Sequence, residues 1–411
     1  MSSDKDAIEK FLFVLSQGDL SLLELKSVIS RNSGWKVSIG ESAPNSIVLE
    51  TNEKTAVKLI KGLGSSYKVG RVLGSDLKES LSLLDLPFND KFNYTVSGYA
   101  CSEDEYRQAH QELHLLLKRK GLGKTKYLEP QTRSEKNERI IAAEIKASEI
   151  LDRVLSPELK ISGIDFVIQG GFHGGKLIYA QTIEVFDVKG YDERDFKRPY
   201  QDPTRTVSPR LARLLVNLAI KEGTRSLLDP FAGLGTVLQE ALLSQVSVIG
   251  VDRDQSLVDK AKANLRWLKE KYVMTKNTQA NLFAYDARRL SRARMPKVDA
   301  IASEPILLPI FKFNPGPAQG REAMQKAALT YEKSFREFRE ILATSNNGRI
   351  VITSPRLFDS SGRSSSLDLL SIAASNGFKP YSADLHMNYP FQIVSSKKKV
   401  IQRDLFVFHA A

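Results

Sequence analysis

A glycine-rich loop between a strand pattern and a helical pattern is the strongest chemical signal in this sequence. Residues 228–236 run Leu-Asp-Pro-Phe-Ala-Gly-Leu-Gly-Thr and follow the apolar segment Ser226–Asp229. Gly233 and Gly235 allow a tight turn and let the backbone lie close to a ligand, because no Cβ is in the way. The loop is not the dinucleotide pattern G-x-G-x-x-G, since residue 238 is Leu. It therefore predicts a ligand loop of another kind.

Acidic residues end the next two strand patterns. Asp252 closes the run Gly250-Val251-Asp252, and Asp286 follows the segment Thr278–Tyr285. In a parallel sheet these ends meet at one edge, where an acidic side chain such as Asp252 can accept two ribose hydroxyls. Asp286 lies where an adenine amino group could bind. The sequence thus predicts a nucleoside pocket. The alternatives are a helix cap for Asp252 and a turn residue for Asp286.

The elements that must position these residues follow a regular alternation. From residue 208 onward, strand-length apolar segments are separated by helical patterns, as a doubly wound parallel sheet requires. The predicted strands are 226–229, 246–251, 278–285, 298–302 and 349–353, with two more near 379–385 and 404–409. The fold class predicted for the chain is therefore α/β.

The first half of the chain is organised differently. Residues 1–75 predict a small ferredoxin-like sandwich, with Ser21 and Glu24 spaced as a capping box for a helix over Leu20–Ile29. Residues 76–186 predict a second α+β unit. The charged segment 187–207, with two prolines, is interpreted as a linker to the domain 208–411.

Composition and charge narrow the class of partner. The 411 residues carry a net charge of +12. Residues 1–200 hold 29 basic and 29 acidic side chains, and residues 201–411 hold 31 and 19, so the whole excess lies in the second half. A basic domain favours a polyanion, nucleic acid first, over a merely basic surface.

Cysteine and histidine usage points to a reducing interior without a metal. Cys101 stands alone, which excludes an internal disulfide and a cysteine-built zinc site. His110, His114 and His173 show no metal-ligand spacing, so we predict no metal site. No apolar run approaches 18 residues and the first residues lack a signal segment. We therefore expect a cytoplasmic protein that does not enter the membrane.

The loop resembles a known family. Residues 229–236 resemble motif I of Rossmann-fold S-adenosylmethionine-dependent methyltransferases that act on exocyclic amino groups of RNA guanines. Residues 191–199 and 207–219 are similar to the segments before and within the first helix of the THUMP-containing tRNA guanosine N2-methyltransferases. The resemblance covers most of the chain and is most specific between about 176 and 252. It implies a ferredoxin-like domain at 1–75, a THUMP-like RNA-binding domain at 76–186 and a Rossmann-like methyltransferase domain at 208–411.

The resemblance also implies a methyl donor, S-adenosylmethionine, and roles for individual residues. Asp229, Gly233 and Gly235 would line its methionine end, and Asp252 and Asp286 its ribose and adenine. Residues 206 and 208 would close over the methionine end. The full set expected at the donor is Thr206, Ser208, Asp229, Phe231, Gly233, Gly235, Thr236, Asp252, Arg253, Asp286 and Ala287.

The chain departs from this family after the fourth strand. Amino-group methyltransferases normally carry Asp/Asn-Pro-Pro-Tyr/Phe there, where oxygens accept the amino hydrogens and the ring stacks on a flipped base. Here Glu304 and Pro305 are followed by Ile306 and Leu307. We expect Glu304 and Pro305 to be catalytic, with a salt-bridged structural Glu304 as the alternative. Without the ring, stacking worth roughly 1–3 kcal/mol per base is lost unless Phe311 or Phe313 substitutes.

Two basic clusters are candidates for RNA contact. For the cluster in the first half, the alternative is a helix C-terminus that favours cations. For the cluster in the second half, the alternative is a solvated loop. The predicted RNA-binding residues are Lys118, Arg119, Lys120, Lys124 and Lys126 in the first half, and Arg288, Arg289, Arg292 and Arg294 in the second.

The resemblance therefore implies a tRNA methyltransferase acting on the N2 of a guanosine, with tRNA as partner. Some relatives of this class use a small zinc-binding activator protein, and the residues leave open whether this chain does. One alternative is a non-catalytic tRNA- or RNA-binding protein that retains the methyltransferase fold. Another is a methyltransferase for a small molecule or a protein, against which the THUMP-like half argues.

Overall fold

The computed structural model describes residues 6–86, 91–122, 124–127, 162–202, 207–275, 277–343, 348–381, 389–393 and 400–410. The chain divides into two compact units. The N-terminal unit comprises residues 1–25 and 33–188, and the C-terminal unit comprises residues 26–32 and 189–411.

One mixed sheet forms the centre of the N-terminal unit. Its described strands lie in the order β2-β3-β1-β4-β8-β7-β5-β6. They are β1 Glu9–Leu15, β2 Ser38–Ala43, β3 Ser46–Thr51, β4 Ser66–Gly74, β5 Lys91–Tyr99, β6 Lys124–Tyr127, β7 Ser162–Gln169 and β8 Ile178–Val185. The helices of this part of the chain are α1 Asp19–Ser30, α2 Glu53–Gly62, α3 Leu77–Ser82 and α4 Glu103–Arg119.

The sheet is continuous across the predicted boundary between residues 75 and 76. Strands β4 and β8 pair antiparallel, from Lys68 opposite Val185 to Gly74 opposite Tyr179. Strands from 1–75 and from 76–186 therefore share one sheet. The division into a ferredoxin-like and a THUMP-like domain remains a prediction.

The predicted capping box at the start of α1 is wrong. The helix begins at Asp19. The buried Glu24 carboxylate accepts hydrogen bonds from the backbone N–H groups of Gly64 and Ser65, at 2.7 and 2.9 Å. Ser21 donates to the Ser65 carbonyl at 2.8 Å. Ser21 and Glu24 thus hold the turn at residues 64 and 65 rather than the start of the helix. The Ser-x-x-Glu spacing alone cannot distinguish these two roles.

The predicted linker contains a helix. Helix α5, Val188–Phe196, buries Tyr191 and Arg194. Arg194 donates from Nε to Glu240 at 2.7 Å. The burial of Arg194 arises from a partner 46 residues away in the chain, which the linker interpretation did not predict.

The C-terminal unit has the predicted doubly wound sheet. Its strands lie in the order β11-β10-β9-β12-β13-β17-β15, with β14 on β13 and β16 on β17. Neighbours from β11 to β13 pair parallel, and β17 pairs antiparallel with β13. The strands are β9 Ser226–Asp229, β10 Ser247–Asp252, β11 Ala280–Ala284, β12 Ala300–Ser303, β13 Arg349–Phe358, β14 Ser364–Ser366, β15 Phe378–Pro380, β16 Phe391–Ile393 and β17 Ile401–Ala410.

The helices of this unit pack on the sheet or, as α5 does, on another helix. They are α5, α6 Pro209–Ala219, α7 Thr236–Leu243, α8 Gln255–Lys271, α9 Pro317–Ile341 and α10 Leu369–Ser375. Phe335 and Phe338 of α9 are buried against Phe408 of β17. Because β10 and β12 lie on opposite sides of β9, the strand order reverses at β9. The carboxyl edge of a sheet at such a point is where ligands bind in open α/β folds.

Candidate active site

A cavity of about 550 Å³ lies at the carboxyl edge of the second sheet. Its size is within the range of small-molecule sites. The loops after four neighbouring strands line it, with residues 229–234 after β9, 252–254 after β10, 286–288 after β11, and Glu304 with 306–310 after β12. The sheet topology therefore brings together the three acidic strand ends that the sequence singled out.

The two glycines of the loop have different roles. Both adopt left-handed backbone angles, with φ of +50° at Gly233 and +83° at Gly235, which favour glycine. Gly233 lines the cavity. Gly235 is the N-cap of α7, and a Cβ there would lie 3.3 Å from the Cβ of Ala261. Gly235 is not among the cavity-lining residues, so it shapes the turn and the packing of the helix.

Asp252 holds the glycine loop against β10. Its Oδ2 accepts a hydrogen bond from the Gly233 N–H, and its Oδ1 accepts one from the Asp254 N–H, both at 3.0 Å. The cap of α8 is Asp254, which accepts from the Ser256 N–H at 2.8 Å. The alternative interpretation of Asp252 as the helix cap is therefore wrong. Asp252 lines the cavity, while its role toward a ribose remains a prediction.

Asp286 lines the cavity as the partner of a neighbouring arginine. Its carboxylate accepts from the backbone N–H and the guanidinium of Arg288 at 2.6 to 3.1 Å. The hydrogen bonds from that guanidinium lower the pKa of Asp286. Asp286 also caps the short 3-10 helix Ala287–Ala293, as the turn interpretation expects. The role of Asp286 toward an adenine amino group remains a prediction.

Asp229 lies buried beneath the loop with a partner that the sequence analysis missed. Its Oδ1 accepts from the Phe231 N–H at 3.1 Å and from the Ser303 hydroxyl at 2.6 Å. Burial raises the pKa of Asp229 to about 7. Ser303 ends β12, which pairs parallel with β9. Only the order of the strands in the sheet could therefore have predicted its contact with Asp229.

Glu304 is engaged by an arginine from a distant strand. Its side chain is 3% exposed and forms an ion pair with Arg403 of β17. Pro305 is buried and is not among the residues that line the cavity. No sequence signal linked Glu304 to Arg403, because the two residues are far apart in the chain and β13 lies between their strands.

The wall beyond Glu304 is apolar, and neither candidate aromatic residue lines the cavity. Ile306, Leu307, Leu308 and Ile310 line it. Phe311 packs against the cluster around Leu308, Met324 and Leu357, and Phe313 is 84% exposed. In the described structure, aliphatic side chains thus form the part of the wall where the family pattern has an aromatic ring.

The other residues expected at the donor are distributed unevenly. Phe231, Arg253 and Ala287 line the cavity. Thr236 lines it too, and its hydroxyl accepts from Arg198 Nη1 at 2.7 Å. Ser208 is exposed and caps α6 by accepting from the Leu211 N–H. Thr206 lies outside the described residues. The lining also includes side chains that were not predicted, namely Val207, Leu257, Lys326 and Thr330.

The predicted RNA-binding residues form two groups, one in each unit. In the N-terminal unit, the end of α4 exposes Lys118, Arg119 and Lys120, and β6 contains Lys124 and the exposed Lys126. In the C-terminal unit, the segment after Asp286 exposes Arg289, Arg292 and Arg294, while Arg288 is partly exposed beside Asp286. Their contact with RNA remains a prediction.

The described residues contain neither a group of metal ligands nor a membrane-spanning helix. There, no three or more His, Cys, Asp or Glu side chains form a group that could hold a metal ion. None of the described helices is long and apolar enough to cross a membrane.

Known proteins are similar to parts of this chain. A family model described as the RMKL-like methyltransferase domain matches residues 196–306. A tRNA (guanine(10)-N2)-dimethyltransferase from Pyrococcus abyssi is 33% identical over 208 residues, which span 50% of this chain and 53% of the relative. A protein of the same name from Methanothermobacter thermautotrophicus is 28% identical over 357 residues, spanning 85% of this chain and 90% of that protein.

A solved structure agrees with the fold. A methyltransferase in complex with S-adenosylhomocysteine superimposes with a TM-score of 0.50 at 13% identity, covering 98% of this chain and 99% of that one. At this identity the likeness supports the fold alone. The alignment with the Pyrococcus relative spans about half of the length of that protein, whereas the Methanothermobacter alignment extends over nearly all of its partner.

Proposed function

We infer that this chain is a member of the tRNA guanine-N2 methyltransferase family and transfers a methyl group from S-adenosylmethionine to the N2 of a guanosine in tRNA. The observation that carries this proposal is the cavity at the carboxyl edge of β9, β10 and β12. Asp229, Gly233 and Asp252 line it, and all three fall within the matched residues 196–306. The names of the relatives support guanine N2 as the acceptor.

The residues around the cavity suit this donor. Gly233 brings backbone to the cavity without a Cβ, and Asp252 and Asp286 offer carboxylate oxygens for hydroxyl and amino groups. We propose that Asp229 and Gly233 hold the methionine end, Asp252 the ribose and Asp286 the adenine. When bound, S-adenosylmethionine supplies a methyl group on a positively charged sulfur, which needs no base to become electrophilic.

The remaining work of the protein is alignment. Holding the acceptor nitrogen in line with the methyl group and the sulfur can remove a large part of the activation free energy. We propose that the Glu304 carboxylate and the carbonyl of Pro305 accept the amino hydrogens of the guanine. Around the flipped base, the aliphatic wall of residues 306–310 would then replace the aromatic ring.

Donor binding tests the first half of the proposal. We expect calorimetry to detect binding of S-adenosylhomocysteine to the wild-type chain, and we expect Asp252→Ala to weaken it at least tenfold. The loss follows because Asp252 anchors the Gly233 N–H as well as facing the cavity. Asp259→Ala, an exposed carboxylate on α8, is the matched control. No heat with the wild-type chain, or equal affinity in Asp252→Ala, would contradict the proposal.

A second candidate function is a non-catalytic tRNA-binding protein that keeps the methyltransferase fold. The ion pair between Glu304 and Arg403 and the aliphatic wall favour it. It predicts donor binding without methylated product. We place it second, because the donor site retains its three acidic strand ends.

The N-terminal unit would bind tRNA in either case. We propose that the THUMP-like residues 76–186 grip the tRNA, with the exposed lysines at the end of α4 as contacts. A tRNA substrate agrees with the cytoplasmic location expected from the sequence. Whether a small zinc-binding activator protein is needed is tested by assaying the chain alone. Methylated product formed by the chain alone would show that it needs no such partner.

A further inference from the structure

The ion pair of Glu304 with Arg403 places a cation behind the acceptor end of the cavity. Glu304 lines the cavity with its side chain 3% exposed, whereas the Arg403 side chain is 33% exposed and is not among the lining residues. Arg403 therefore contacts a wall residue without lining the cavity itself. A buried carboxylate is stable in its charged form only when such a partner compensates for lost water.

The acidic neighbour of Arg403 on β17 is engaged by another arginine. The next residue, Asp404, is occupied by Arg356, which donates to both of its oxygens at 2.9 to 3.2 Å. Two adjacent positions of β17 thus form two separate pairs, one directed to β12 and one to β13. The arrangement assigns Arg403 to Glu304.

We propose that Arg403 is a positioning residue for methyl transfer, which holds the Glu304 carboxylate where the acceptor amino group must donate its hydrogens. The inference rests on the proposed methyl transfer and deepens it. Glutamate has one more rotatable bond than the aspartate or asparagine of the family pattern, so it needs another contact to fix its oxygens. The ion pair between Arg403 Nε and Glu304 Oε1 supplies such a contact.

The same contact explains how glutamate can serve at this position. A hydrogen-bond acceptor for an amino group is most effective when it is charged and already oriented. Arg403 provides both conditions from a strand that does not line the cavity. Arg403 and Glu304 would therefore act as one unit, although the family pattern after the fourth strand includes only position 304.

Single-turnover methylation of unmodified tRNA tests this inference. We expect Arg403→Ala to lower the rate of methyl transfer by about tenfold or more, with the affinity for S-adenosylhomocysteine unchanged. Arg403→Lys keeps the cation and is expected to recover part of the rate. Because the two residues act together, Glu304→Gln combined with Arg403→Ala should be no slower than the slower single variant.

Arg349→Ala is the matched control. Arg349 lies at the other end of β13 and donates to the Leu218 carbonyl at 3.1 Å. Its loss should lower the melting temperature without lowering the rate of the folded enzyme. If Arg403 is only structural, Arg403→Ala will behave in the same way, which would overturn the inference. If the wild-type chain forms no methylguanosine while it binds donor and tRNA, the proposed function fails instead.

Discussion

Asp229 is a buried acid whose charge should depend on pH near neutrality. Burial raises its pKa to about 7, despite the hydrogen bonds from Phe231 and Ser303, and the charges of Asp252 and Glu304 act in the same direction as burial. In the unfolded chain an aspartic acid titrates near 3.9. The folded protein therefore holds a proton that the unfolded chain releases between these two values.

This difference predicts how stability changes with pH. Between about pH 4 and pH 7 the folded state binds more protons, so the contribution of Asp229 to the free energy of unfolding falls as pH rises. Asp229→Asn keeps an acceptor oxygen but has no charge to bury. We expect the variant to gain stability relative to wild type from pH 5 to pH 7.5, by up to roughly 3 kcal/mol.

Urea unfolding of the ligand-free protein at several pH values measures the gain. Asp254→Asn, an exposed aspartate in the adjacent loop, is the control. A constant difference between wild type and Asp229→Asn over this range would show that Asp229 is already charged at pH 5.

Helix α5 is attached to the C-terminal unit by a buried ionic cluster. Glu240 of α7 is fully buried and pairs with Arg194 of α5 and Arg213 of α6, each at 2.7 Å. Arg194 also lies over the rings of Tyr191 and Tyr272. The attraction of Glu240 raises the pKa of Arg194, although burial opposes it. One carboxylate thus compensates two cations that have little access to water.

Removing that carboxylate should be strongly destabilising. Glu240→Gln leaves two arginines without a counter-charge, and breaking such a buried pair costs about 3–5 kcal/mol. Chemical denaturation provides the measurement. Glu332→Gln removes an exposed pair with Arg336 on α9 and should change stability by less than about 0.5 kcal/mol. A loss below about 1 kcal/mol in Glu240→Gln would mean that α5 is not held by this cluster.

The elements differ in how far the sequence could predict them. The strands and glycine loop of the second sheet were predictable, because apolar runs, glycines and strand-ending acids are local signals. Helix α5, Ser303 and Arg403 were not, since each depends on a partner that is distant in the chain and that the fold brings close. Asn264 is a similar case, as it donates to the carbonyls of both Tyr200 and Leu234 and so joins the segment after α5 to the glycine loop.

The distribution of charge over the whole molecule agrees with a polyanion at the cavity. The net +12 arises from residues 201–411, which include the exposed arginines after Asp286. The first 200 residues are neutral, so any grip on tRNA there must depend on local clusters such as the end of α4. Charge alone could predict this asymmetry, but it could not predict that Arg288 would be engaged by Asp286.

We propose methyl transfer to guanosine at a site where Glu304 accepts a hydrogen bond from the guanine amino group. Mass spectrometry of nucleosides from unmodified tRNA, incubated with the chain and S-adenosylmethionine, tests it most directly. We expect N2-methylated guanosine with the wild-type chain and at least tenfold less with Glu304→Ala, while Glu322→Ala on the exposed face of α9 remains active. Donor and tRNA binding without methylated guanosine, or equal product in Glu304→Ala, would contradict the account.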